Sequence, residues 1–129
     1  MPFDESRIRP ALEAVAEEVR DLLCRLIEVP SVRGGEAPAM EVMREALAPC
    51  TDTCAPVPID ESIQDDPDFC FKLPDVTYSD RPDLRAARAG AGPDGPTFFL
   101  NTHLDVVPPS EGQLRPWEPR VDGDTGALA

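Results

Sequence analysis

The chain has 129 residues, with 25 acidic against 12 basic side chains and a formal net charge of -13 at pH 7. That length suits one domain with a single core, burying about two thirds of the surface of the unfolded chain. The acidic balance argues against nucleic acid and anionic membrane as partners, and no apolar run reaches the length of a membrane span. The opening Met1-Pro2-Phe3-Asp4-Glu5-Ser6 lacks the basic start and apolar core of a secretory signal, so a cytoplasmic protein is expected.

Residues 10–28 place Leu12, Val15, Val19, Leu22, Leu23 and Leu26 three and four apart, one face of an amphipathic helix. Pro10 suits its first turn and Pro30 stops it. Residues 36–47 repeat the period through Met40, Val42, Met43 and Leu47, with Glu36 and Glu41 near the positive end of the helix. The methionine pair reads as core filling. Residues 50–59 predict an edge strand, because Pro56 and Pro58 cannot donate to a ladder on both sides.

The composition then shifts. Of 16 prolines, most lie past Ala55, so a helical first third gives way to a turn-rich remainder. Residues 61–82 form an acidic loop; Asp65, Asp66 and Asp68 lack the glycine and ligand order of a calcium loop and read as a solvated face. Residues 83–89 predict a strand, and the loop at 90–96 leads into a second one starting at Thr97, a hairpin-like pair with Leu84, Ala86 and Phe98 in the core. Four cysteines, Cys24, Cys50, Cys54 and Cys70, are open to reading as disulfides, a metal cluster or reduced thiols. Cys50 and Cys54 have no second close pair, which favours reduced thiols, Cys24 on its helix being core.

The chemistry gathers in Thr97-Phe98-Phe99-Leu100-Asn101-Thr102-His103-Leu104-Asp105-Val106-Val107-Pro108-Pro109. The apolar start reads as a strand buried on both faces, delivering His103 and Asp105 at its carboxyl end. In extended backbone these two point to one side, so the imidazole can hold a metal while the carboxylate fixes its ring or steers a water. An H-x-D triplet by itself is a weak signal, equally a hydrogen-bonded core histidine and a turn-capping aspartate.

The octapeptide from Asn101 to Pro108 resembles the first metal motif of the M20 metallopeptidases, the group of acetylornithine deacetylase, succinyl-diaminopimelate desuccinylase and aminoacylase. A second stretch, Leu26-Ile27-Glu28-Val29-Pro30-Ser31-Val32-Arg33-Gly34-Gly35-Glu36, resembles that family's helix end, Pro-Ser turn and glycine, though Pro and Gly punctuate any helix pair. The resemblance implies the N-terminal part of a zinc-peptidase-like α/β catalytic domain, two helices followed by strands of a mixed sheet. It implies His103 as ligand to one metal of a zinc or cobalt pair and Asp105 as its catalytic partner. The substrate implied is a small-molecule N-acyl amino acid or peptide, with a homodimer as the form of the intact parent.

After the motif, the proline-rich residues 108–119 form a loop over the rim of the site. Trp117 there is either a substrate contact or an apolar anchor, and Arg115 and Arg120 are candidates for a substrate carboxylate. Family members continue into a glycine-rich motif whose aspartate bridges both metals, then glutamates, a further acid and a final histidine. None of these is among the 129 residues, and Asp122-Gly123-Asp124 reads as a turn. The expectation is that residues 1–129 are the first part of such a domain, lacking its remainder and any dimerisation or lid domain, and inactive alone. The alternative is a non-catalytic, acidic α/β binding or regulatory module.

Overall fold

A computed structural model describes residues 5–69, 76–92 and 94–123. The chain divides into two units, one made of the first 29 residues together with 109–129, the other of residues 30–108.

The first unit is dominated by helix α1, Glu5–Ile27. It starts earlier than the spacing predicts, so Pro10 lies inside the helix and gives up one helical hydrogen bond there. The expected stripe forms, but Ile8, Leu12, Val15, Val19 and Leu23 all remain exposed, from 38% to 62%. Cys24 is half-buried and a free thiol. The helix closes with bonds from the Glu28 N–H to the Cys24 carbonyl (3.1 Å) and from the Val29 N–H to the Leu26 carbonyl (3.2 Å).

The second unit packs one helix on one hairpin. Helix α2, Ala37–Leu47, has Pro38 in its first turn, where a missing N–H costs nothing. The Thr51 hydroxyl closes its far end by donating to the Leu47 carbonyl (2.8 Å). Strand β1, Thr53–Val57, pairs antiparallel with strand β2, Asp83–Ala87, in a register that sets Cys54 opposite Ala86 and Pro56 opposite Leu84. The Asp52 N–H extends the ladder to the Ala87 carbonyl (2.9 Å). Helix α2 touches both strands. The fold is therefore an α/β mix of two helices and a two-stranded sheet among the described residues.

The partner of β2 corrects an expectation. Residues 97–100 are not the second strand of its hairpin; β1 holds that place, and residues 97–100 run as irregular chain. Phe98, Phe99 and Leu100 are 85%, 87% and 93% exposed rather than core. An apolar run is buried as a strand only where strands flank it and layers cover its faces, and no described residue supplies either. Between the strands, a short 3-10 turn, Glu61–Asp65, interrupts the expected loop, capped by the Asp60 carboxylate accepting from the Ser62 N–H (2.8 Å). Cys70 lies outside the described residues. Among the described residues no helix is long and apolar enough to cross a membrane.

Candidate functional site

The site rests on a turn that sequence reading treated as punctuation. Gly34 takes φ 90°, a left-handed backbone that costs a side-chain-bearing residue about 1–2 kcal/mol, and so reverses the chain at 33–35. The Gly35 N–H closes the turn on the Val32 carbonyl (2.7 Å). Glu36 then reaches back: its carboxylate accepts from the Gly34 N–H (2.9 Å) and from the Arg81 guanidinium. Burial alone would raise the Glu36 pKa, but the N–H groups of Gly34 and Glu36 and the Arg81 cation outweigh it and hold the carboxyl below its usual range.

Ser31 leads into this turn and is 4% exposed, the buried polar residue of the described chain. Its hydroxyl donates to the Leu104 carbonyl (2.8 Å), and its own carbonyl accepts from the Val106 N–H (3.0 Å). Val32 and Val106 face each other as an isolated parallel bridge. The turn at 30–36 and the stretch at 101–108 are far apart in sequence. They are the segments that meet.

His103 and Asp105 come together as expected. The His103 Nδ1 lies 3.1 Å from Asp105 Oδ1 and 3.0 Å from the Asp105 carbonyl oxygen. A carbonyl only accepts, so the contact with it needs a proton on Nδ1, which in a neutral ring leaves the lone pair on Nε2. Among the described residues nothing bonds Nε2, and the His103 side chain is 83% exposed against 47% for Asp105. The ring is thus an open imidazole facing solvent with its acid attached, not a core histidine.

This donor chemistry fits one ligand position of a metal centre, since a ligating histidine ordinarily gives its other N–H to a carboxylate or carbonyl. It does not fit a whole centre: among the described residues no group of three or more His, Cys, Asp and Glu side chains converges. A catalytic zinc takes three protein ligands and a water. Cys50 and Cys54 are free thiols, their sulfurs near the backbone carbonyls of Leu47 and Arg44.

Compared with known families, curated proteins and solved structures, the chain matches none.

The three candidate substrate contacts belong to the other unit. Arg115 sits at φ 52° and its guanidinium pairs with Glu118 (3.1 Å), while Trp117 is half-buried. Arg120 reaches the Leu114 carbonyl at 3.5 Å. The residues missed as part of the site were Ser31, Glu36 and Arg81. The signal for the first two was the Pro-Ser turn with its paired glycines; Arg81, in a proline-bearing loop, had none.

Proposed function

We propose that these residues carry the first metal-ligand motif of a zinc- or cobalt-dependent amidohydrolase that cleaves N-acyl amino acids or small peptides, in an α/β domain of the zinc-peptidase kind. The observation that carries this reading is the pairing of His103 Nδ1 with Asp105, which in the neutral ring leaves the unprotonated Nε2 open to a metal. In it, His103 holds one metal through Nε2. Asp105 keeps the proton on Nδ1, fixes the plane of the ring and makes the distal nitrogen more basic.

A bound metal pair would supply polarisation of the scissile carbonyl and a more acidic water. His103 would be one of the three protein ligands that a catalytic zinc takes, and the described residues bring no third donor to it and Asp105.

The test is His103→Ala in the complete open reading frame, assayed on N-acetyl and N-succinyl amino acids with zinc or cobalt. Metal content and turnover are expected to fall together, turnover by at least about a hundredfold. Turnover near wild type would remove His103 as the ligand, whereas a wild-type protein with neither turnover nor bound metal would leave the acidic binding module as the reading.

A further inference from the structure

We infer that Ser31 is a positioning residue for the His103 and Asp105 pair, a clamp that acts through the backbone on both sides of Asp105. Two hydrogen bonds tie the stretch at 101–108 to the turn at 30–36, and both end on Ser31. The Leu104 carbonyl belongs to the peptide plane before Asp105, and the Val106 N–H to the plane after it. Each plane is rigid, so holding both sets the two backbone torsions of Asp105.

Those torsions decide where the Asp105 carbonyl and carboxylate point, and both face His103 Nδ1, at 3.0 Å and 3.1 Å. The backbone around them has no regular ladder to do this work, residues 97–105 being irregular and Asn101, Thr102 and His103 exposed. Ser31 itself is held firmly: it is buried, and the turn behind it is tied by the Gly35 to Val32 bond and by Glu36 to Gly34 and Arg81. A turn fixed from one side and bonded to the motif on the other carries its rigidity across to the imidazole.

The inference rests on His103 being the working imidazole, yet its test needs neither metal nor substrate. His103 is the single histidine of the sequence, so its ring nitrogens give one unambiguous set of long-range nitrogen-proton signals in the full chain. At about pH 8.5 the ring of free histidine is neutral, and the ratio of Nδ1–H to Nε2–H forms can be read directly. A solvent-exposed histidine side chain favours Nε2–H; the clamped pair is expected to favour Nδ1–H. Ser31→Thr keeps the hydroxyl and Ser31→Val removes it at nearly the same shape.

The ratio is expected to stay near wild type in Ser31→Thr and to fall about threefold to tenfold in Ser31→Val, at unchanged helical circular dichroism. A wild-type ring that is mostly Nε2–H overturns the inference at once, as does an equal ratio in all three proteins. If Ser31→Val loses its helical signal, the Ser31 hydroxyl proton of the wild type decides: slow exchange supports the clamp, free exchange sinks it. A chain that fails every deacylase assay but shows the ratio shift leaves the clamp standing, so the two ideas fail separately.

Discussion

Glu36 shows how a single carboxylate can organise a turn. Its side chain is only 14% exposed and its Arg81 partner 27%, so the pair is screened far less than the surface pairs of α1. Removing the cation while the carboxylate stays buried is the expensive direction. Arg81→Met is expected to destabilise the unit at 30–108 by about 1–2 kcal/mol at neutral pH, read from the urea midpoint. The pH dependence follows from the lowered Glu36 pKa. A carboxyl depressed in the folded state adds stability above its unfolded value, about 4.3, and that stability disappears as pH falls through the lower folded value. Asp60 and Glu61 are also depressed, Asp60 by hydrogen bonds from Ser62 and Glu61 chiefly by the Ser79 N–H, so the wild-type acid limb is composite. Glu36→Gln should flatten part of that limb. An unchanged midpoint-against-pH curve would mean the carboxylate is not held as described.

Between elements, burial separates what periodicity does not. The second unit keeps Ala39 at 1% exposure in the helix that lies on the hairpin, whereas the apolar stripe of α1 is open. Ala39→Leu therefore forces extra volume into a closed place and is expected to cost about 1–3 kcal/mol, while Val19→Gln should stay within about 0.5 kcal/mol. Urea unfolding of both variants checks the contrast, and equal effects would contradict it. The existence of both helices and of the strands near 53–57 and 83–87 was legible in spacing and proline placement. Residues 97–100 were not, and the reason is physical. An apolar run records that a segment can be buried, but the hydrogen-bonding neighbours that make it a strand lie elsewhere in sequence, and β2 took β1 instead. The site was legible in part for a related reason. The separation of His103 from Asp105 is local and survives without a strand; the Ser31 contact spans much of the chain and leaves no local trace.

Among the described residues, few side chains leave water altogether. Among the described residues Ala39 is the one apolar residue classed as buried, and no large side chain is fully enclosed. A well-packed protein gains about 12–15 cal/mol/K of heat capacity per residue on unfolding, which for 129 residues comes to about 1.5–1.9 kcal/mol/K. Calorimetry on this chain should give clearly less, since little apolar surface remains to be exposed; a value in that range would require a core the described residues do not contain.

Metal binding is the property on which donor count and net charge make separable demands. One imidazole with its acid falls short of the three protein ligands a catalytic zinc takes, and no other described donors converge on it. The charge of -13 will still gather divalent cations loosely over the surface, so a bare dialysis signal decides nothing. Salt separates the two, because raising it from about 0.1 M to 1 M shortens the screening length from about 10 Å to about 3 Å and strips diffuse ions while sparing coordinate bonds. Zinc retained by this chain in equilibrium dialysis is expected to be weak, to fall with salt and to be the same in His103→Ala. Stoichiometric zinc that resists 1 M salt and disappears in His103→Ala would mean that these 129 residues complete a metal centre by themselves.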